Sequence, residues 1–198
     1  MIKIAVFASG TGTNFVALAQ HIKHHRLPIQ ITHLICDQPQ ATVITRAREF
    51  KVPVWVHQLK EFKDKTEYEQ TILQCLQEDQ VQLIVLAGYM RIVTNTLLNA
   101  YPRAILNIHP ALLPAFPGRH GIEDALLAGV KITGVTIHYV DAGVDSGPII
   151  AQQPVKVLPH DDLASLANRI HQVEHQLYFD SLCQVLQDKK NYLNKRGK

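Results

Sequence analysis

The sequence predicts an α/β fold with a doubly wound, mostly parallel sheet, helices on both faces, and a C-terminal strand pair plus a long helix. Three observations lead to this prediction. Short apolar runs rich in β-forming residues alternate with segments whose apolar residues recur at helical spacing. A glycine-rich turn follows the first apolar run, as is typical of a strand that leads into a helix. A long C-terminal segment carries an apolar stripe at helical spacing.

The first half of the chain alternates between strands and helices. Continuous apolar runs are typical of strands buried on both faces of a parallel sheet. A near-continuous run of this kind predicts a strand over Ile2–Ala8, and the alternation continues with expected strands over Ile29–Cys36, Val52–Val56 and Val81–Ala87. The intervening patterns predict helices through Phe15, Leu18, Ala19 and Ile22, over Ala41–Phe50 and over Lys65–Glu78. This alternation predicts parallel strands joined by helical crossovers.

The second half begins with a buried strand from Ala104 that leads into Asn107 and His109. Three prolines at positions 110, 114 and 117 then predict a stiff, non-helical loop that ends at Gly118. The next expected elements are a helix over Ile122–Ala128 and strands over Val135–Val140 and Ile149–Val155. Because only a turn-rich loop joins these two strands, we expect them to form an antiparallel pair.

The last predicted element is the long helix. Its apolar stripe is formed by Leu163, Leu166, Ile170, Val173 and Leu177. Asp161 and Asp162 precede it and are suited to capping its N-terminus. Glu174 lies on the edge of the stripe, where a carboxylate either extends to solvent, which is the default, or reaches a ligand.

Length and charge predict one domain over residues 1–188, followed by a basic tail over residues 189–198. The chain has 198 residues, 46% of them hydrophobic, and a net charge of +3. Five basic residues and no acid lie in the last ten positions, so the rest carries a small net negative charge. This distribution does not indicate a nucleic-acid groove, and we expect a frayed tail.

The sequence also predicts a cytoplasmic protein without a membrane span or a structural metal. No apolar run approaches the length of a membrane span, and the N-terminus leads directly into a strand. Cys36, Cys75 and Cys183 are odd in number and far apart, which fits a reducing compartment. The eleven histidines show no metal-ligand spacing.

The turn Ser9–Asn14 predicts a phosphate site. A glycine-rich turn that enters a helix presents unpaired backbone N–H groups and the positive end of the helix dipole. A dinucleotide fingerprint would need a third glycine where this chain has Phe15, although Asp37 could imitate the acid that binds ribose. A single phosphate group is therefore the preferred ligand, and a turn without any ligand is the alternative.

Three segments are expected to meet at one crevice, because each follows the carboxyl end of a strand. They are Ser9–Asn14, Gly88–Val93 and Asn107–Pro110. Asn107 and His109 point to the same side of an extended backbone, where a carboxamide and an imidazole suit the negative charge that develops on a carbonyl oxygen during acyl transfer. A capped strand end with a surface histidine is the simpler alternative. Asp145 lies between two glycines, where most such acids serve only to hydrogen-bond the turn.

Taken together, these segments resemble the folate-dependent formyltransferases over nearly the whole chain. The most specific parts are L-N-I-H-P-A-L-L-P-A-F-P-G, A-G-Y-M-R-I, D-x-G-V-D-S-G-P and S-G-T-G-T-N. The resemblance implies an enzyme that uses 10-formyltetrahydrofolate as co-substrate and needs no metal. It implies formyl transfer to the amine of glycinamide ribonucleotide in purine biosynthesis, by direct attack through an oxyanion intermediate.

The resemblance also implies roles for particular residues. The catalytic residues would be Asn107, His109 and Asp145. The ribonucleotide would be bound by Gly12, Thr13, Asn14 and Glu174. The folate would be bound by Lys65, Met90, Arg91, Ile92, Val93 and Asn107. If Asp145 lies near His109, its charge favours the imidazolium and raises the pKa of His109.

This chain departs from the family pattern at three positions. Lys65 stands where relatives commonly carry Arg, and the loss of the guanidinium weakens a contact with folate. Ala111 and Thr13 stand where Ser is usual, and Thr13 keeps a hydroxyl for the phosphate.

Four alternatives are less well supported. Methionyl-tRNA formyltransferases normally add a C-terminal RNA-binding domain and formyltetrahydrofolate hydrolases an N-terminal regulatory domain, and we expect neither here. A nicotinamide-dependent reductase would need the missing glycine. A non-catalytic nucleotide-binding module would give Asn107, His109 and Asp145 no joint purpose. The expected enzyme acts on small molecules as a monomer or homodimer.

Overall fold

The computed structural model describes the backbone of residues 1–196 and the side chains of residues 1–188. The strands are β1 (Ile2–Phe7), β2 (Ile29–Cys36), β3 (Val54–Val56), β4 (Leu83–Leu86), β5 (Ile105–His109), β6 (Ile132–Tyr139) and β7 (Ile149–Lys156). The helices are α1 (Thr13–His24), α2 (Thr42–Glu49), α3 (Lys65–Glu78), α4 (Asn95–Ala100), α5 (Gly121–Leu127) and α6 (Leu163–Arg196). A 3₁₀ turn covers Leu59–Glu61.

The strands form one sheet in the order β3-β2-β1-β4-β5-β6-β7. The first five strands of this chain pair in parallel, whereas β6 and β7 are antiparallel to their neighbours. The predicted fold class is therefore confirmed, including the C-terminal strand pair and the long helix. Sequence analysis did not predict α4 and placed the start of β6 three residues late.

The centre of the sheet is covered on both faces. Every residue from Ile4 to Ala8 is completely buried. Since successive side chains of a strand point to opposite faces, this uninterrupted burial requires packing on both sides of β1. Phe15 and Leu18 of α1 and Leu166 and Ile170 of α6 are also completely buried and belong to the same apolar core. Burial of this continuous apolar run thus fixes β1 at the centre.

The long helix α6 begins at a reciprocal cap. The backbone N–H of Ser165 donates to Asp162 Oδ1 over 2.7 Å, and the N–H of Asp162 donates to Ser165 Oγ over 3.0 Å. Asp161 pairs with Arg169 one turn further along. The predicted acidic cap is therefore confirmed. The side chains of the predicted basic tail, residues 189–198, lie outside the described part of the chain.

None of the helices described within residues 1–196 combines the length and apolar character needed to cross a membrane.

One buried hydroxyl attaches α6 to the two strands that lead into the crevice described below. Tyr178 Oη lies 2.8 Å from the carbonyl oxygen of Leu86 and 3.1 Å from that of Leu106. Its side chain is completely buried, so burial places the pKa of this phenol well above its usual value and keeps it protonated as a donor.

We expect Tyr178→Phe to lower the free energy of unfolding by about 1–3 kcal/mol, because two buried carbonyl groups lose their donor while packing volume is preserved. Tyr101→Phe is the matched control, since the Tyr101 hydroxyl has no hydrogen bond in the described part of the chain, and its cost should stay within about 0.5 kcal/mol. Urea unfolding measures the free energy of unfolding of both variants. Equal losses of stability in the two variants would contradict the anchoring role of Tyr178.

Candidate active site

A crevice of about 570 Å³ lies where the carboxyl ends of β1, β4 and β5 meet. It is lined by parts of all three segments that the sequence placed together, so their convergence is confirmed. The loop around Asp145 closes one side, and His171 and Glu174 of α6 close another. The size of the crevice suits one or two small organic ligands.

The pairing of β5 with β6 places Asn107 beside a second imidazole. Asn107 is in register with His138, and its Nδ2 lies 3.1 Å from His138 Nε2. His138 Nδ1 lies 2.9 Å from the carbonyl oxygen of Tyr139, so the proton sits on Nδ1 and Nε2 accepts from Asn107. The second Asn107 hydrogen points towards Asp145 Oδ1 across a longer 3.4 Å. Sequence analysis missed His138, which only the cross-strand register reveals.

His109 is almost completely buried, with an oxygen atom close to each of its ring nitrogens. Its Nε2 lies 2.7 Å from the carbonyl oxygen of Phe116, and its Nδ1 lies 3.4 Å from Asp145 Oδ2. Burial lowers the pKa of His109 below its ordinary value, and the neighbouring carboxylate of Asp145 offsets this only in part. The expected effect of Asp145 therefore has the correct sign, but desolvation exceeds it and His109 is neutral at neutral pH.

Asp145 is held in the crevice by its own loop and by the proline loop. Its backbone has a φ of +52°, and its Oδ2 accepts the N–H of Gly118 over 2.7 Å. A side chain on Gly147 would lie 1.8 Å from the carbonyl oxygen of Tyr139, so the turn requires glycine there. Burial acts to raise the pKa of Asp145, but the imidazoles of His138 and His109 and the Gly118 N–H together lower it. Asp145 is therefore ionised.

The glycine-rich turn leaves the N-terminus of α1 open to the crevice. No side chain caps this helix, so the N–H groups of Thr13 and Asn14 face a site suited to an anion. Gly12 has a φ of +77°, and a Cβ there would lie 2.3 Å from Val43 Cγ2. Gly12 is thus required by backbone conformation and by packing against α2.

Glu174 reaches the same end of the crevice, so its default interpretation as a solvated residue is wrong. It is 5% exposed, and its Oε2 accepts from Asn14 Nδ2 over 3.0 Å. His171 Nδ1 lies 2.9 Å from the same oxygen, and this hydrogen bond raises the pKa of His171. Asn14 Oδ1 is buried without a hydrogen-bond partner in the described part of the chain. These atoms provide polar contacts for a ligand next to the phosphate site.

The segment Met90–Val93 forms the apolar side of the crevice. Met90 and Ile92 are 51% and 61% exposed, whereas Val93 is buried. Lys65 does not line the crevice, and its ammonium donates instead to the backbone carbonyl of Ile92. Of the residues predicted to bind folate, Asn107 and the segment Met90–Val93 line the crevice together. Lys65 contacts this segment from outside the crevice.

Arg91 contributes its side chain to a buried acid. Its Nε donates to Asp37 Oδ2 over 2.7 Å, and Ser9 Oγ donates to Asp37 Oδ1 over 2.5 Å. Asp37 is 1% exposed and both of its oxygens are engaged. This carboxylate is therefore not available to bind a ribose, which disfavours a dinucleotide ligand.

Within residues 1–188, no cluster of three or more His, Cys, Asp or Glu side chains is arranged to hold a metal ion.

Comparison with known proteins agrees with this geometry. A family model described as formyl transferase matches residues 2–182. The chain is 46% identical to phosphoribosylglycinamide formyltransferase of Bacillus subtilis (strain 168) over 197 residues, covering 100% of this chain and 98% of the relative. Two solved structures are similarly close. Phosphoribosylglycinamide formyltransferase from Bacillus halodurans has a TM-score of 0.90 at 49% identity, covering 93% of this chain and 95% of its own. Glycinamide ribonucleotide transformylase 1 from Geobacillus kaustophilus has a TM-score of 0.91 at 49% identity, covering 94% and 99%. The chain therefore belongs to the formyl transferase family.

Proposed function

We propose that this chain transfers the formyl group of 10-formyltetrahydrofolate to the amine of glycinamide ribonucleotide in purine biosynthesis. One observation carries this proposal: Asn107, His109 and Asp145 line a single crevice together with an anion site and an apolar segment. The full-length similarity to phosphoribosylglycinamide formyltransferases supports the same reaction. We also propose that residues 1–188 form one domain that acts in the cytoplasm on small molecules, as a monomer or homodimer.

The two ends of the crevice suit the two substrates. The N–H groups at the start of α1 would bind the ribonucleotide phosphate, and Gly12 would shape that turn. Glu174 and Asn14, which are hydrogen-bonded to each other, would contact the glycinamide portion. The exposed apolar side chains of Met90 and Ile92 and the backbone of Arg91 and Val93 would contact the folate. This arrangement directs the amine and the formyl carbon towards Asn107 and His109.

In the proposed reaction the amine attacks the formyl carbon directly, and the formyl oxygen becomes an oxyanion. Asn107 would donate to this oxygen with the hydrogen that now makes its longer contact with Asp145, while His138 keeps the other hydrogen engaged. A fixed amide donor stabilises developing charge without reorganising in the transition state. His138 therefore acts through the orientation of Asn107.

The proton lost by the attacking amine must reach the leaving nitrogen. We propose that His109 carries it, because its Nδ1 lies beside Asp145 and its Nε2 is held by Phe116. Burial keeps His109 neutral beforehand, so the ring is able to accept a proton. The ionised Asp145 stabilises the imidazolium during transfer, and the adjacent oxyanion adds to that effect.

The reaction is tested by incubating the protein with 10-formyltetrahydrofolate and following deformylation spectroscopically. Three parallel reactions contain glycinamide ribonucleotide, initiator methionyl-tRNA, or water alone as the acceptor. We expect deformylation only with glycinamide ribonucleotide, and no loss of activity after dialysis against a chelator. Formyl transfer to the tRNA, hydrolysis at the same rate in water, or a loss of activity restored by zinc would contradict the proposal.

The pairing of Asp145 with His109 is tested by Asp145→Asn. Loss of the charge should lower the pKa of His109 further, which an NMR titration of the imidazole measures. We expect kcat to fall at least about a hundredfold while substrate dissociation constants change little. His109→Ala should be about as damaging and the double variant little worse. Glu61→Gln, which disrupts a carboxylate–imidazole pair with His57 outside the crevice, should leave kcat unchanged. Multiplicative losses in the double variant would contradict the pairing.

The anion site is tested by Thr13→Val, because Gly12 variants would clash with Val43 whatever the ligand. Removing the hydroxyl while keeping the shape should weaken ribonucleotide binding by about tenfold and leave folate binding within about twofold. Thr42→Val changes the first residue of α2 in the same way outside the crevice and should affect neither ligand. Calorimetry measures the affinity of each variant for both ligands. Equal losses of affinity for the ribonucleotide and the folate would contradict the assignment of the anion site.

A further inference from the structure

Asp37 connects the two sides of the crevice. It follows β2, where its carboxylate is 1% exposed. Oδ1 accepts from Ser9 Oγ over 2.5 Å, at the start of the glycine-rich turn. Oδ2 accepts from Arg91 Nε over 2.7 Å, within the apolar segment, and from Gln38 Nε2 over 3.0 Å. One buried charge therefore contacts segments that follow two different strands.

The contact of Asp37 with Ser9 also fixes the direction of the hydrogen bond between Ser9 and Met90. Ser9 has one hydroxyl proton, and Asp37 accepts it. The Ser9 oxygen is then an acceptor only, and it receives the backbone N–H of Met90 over 3.0 Å. Asp37 thus acts on the segment Met90–Val93 twice, through Ser9 at Met90 and directly at Arg91.

This segment depends on side chains for its position because residues 87–94 belong to no strand or helix. Other side chains contact this stretch as well: Arg119 and Lys65 donate to the carbonyls of Met90 and Ile92. Glu69 accepts from Thr94 at one end, and Tyr68 is hydrogen-bonded to Tyr89 at the other. Among the side chains of residues 1–188, Asp37 alone brings a buried charge to the middle of Met90–Val93, where a charge-assisted bond is strong and specific in geometry.

We infer that Asp37 is a positioning residue that holds the segment Met90–Val93 in the conformation that binds the formyl donor. It does not line the crevice and touches no reacting atom. The identity of the donor rests on the proposed function, whereas the positioning role follows from the contacts of Asp37 alone. Loss of its charge should therefore affect the donor side of the crevice more than the phosphate side.

The experiment compares Asp37→Asn and Ser9→Ala with Asp161→Asn. The control is closely matched, because Asp161 is a similarly buried carboxylate that pairs with Arg169 outside the crevice. In the two test variants we expect KM for 10-formyltetrahydrofolate to rise about tenfold or more. KM for glycinamide ribonucleotide and kcat should stay within about threefold of the wild type. The control should change neither KM.

A second measurement needs no activity. Hydrogen exchange of the Met90 amide should speed up about tenfold or more in Asp37→Asn and Ser9→Ala, while core amides of β1 stay protected.

A merely structural role would instead lower kcat by reducing the folded fraction, with both KM values unchanged. That result, or unchanged Met90 exchange in Ser9→Ala, would overturn the inference, even where Asp37→Asn fails to fold. If the wild type does not formylate glycinamide ribonucleotide, the proposed function is wrong, and Met90 exchange still decides the positioning role.

Discussion

The antiparallel register between β5 and β6 is the constraint on which the crevice depends. β5 pairs in parallel with β4 on one side, so its carboxyl end joins those of β1 and β4. On its other side β6 runs in the opposite direction and places His138 directly opposite Asn107. The Asn107 carboxamide and its acceptor are thereby fixed by backbone pairing, which is more rigid than any loop. A shift of β6 by one residue would turn His138 to the opposite face of the sheet from Asn107.

Burial determines how the charges of the crevice behave. Asp145 stays ionised because two imidazoles and a backbone N–H compensate for its loss of water. His109 lies deeper and has one carboxylate beside it, so desolvation prevails and the ring stays neutral. The pair thus combines a permanent negative charge with a base that gains a proton only when further negative charge develops nearby. Such a pair is better suited to proton transfer than a histidine that is already charged.

Much of this architecture is predictable from the sequence, and the failures have identifiable causes. Buried parallel strands are nearly continuous apolar runs, so β1 and β4 could be recognised from composition alone. The six residues of α4 are too few to show a helical period. His138 is a single polar residue within β6 and Asp37 directly follows β2, and only contacts with residues distant in sequence give them a role. Motif comparison, in contrast, identified Asn107, His109 and Asp145 as members of one site.

The two ends of the crevice achieve recognition by different physical means. The proposed phosphate site is built from the first turn of α1, where the backbone donors belong to a helix whose position the core already fixes. A phosphate is small and always carries charge, so rigid backbone donors suit it. The Met90–Val93 segment is instead irregular, with exposed apolar side chains, which suits a larger ligand recognised mainly through shape. An irregular backbone lacks the regular hydrogen bonds that maintain a helix or a strand, so a buried charge is needed to hold its conformation. Asp37 supplies that charge from the end of β2, and because it also accepts from Ser9, the position of the irregular segment is tied to that of the glycine-rich turn.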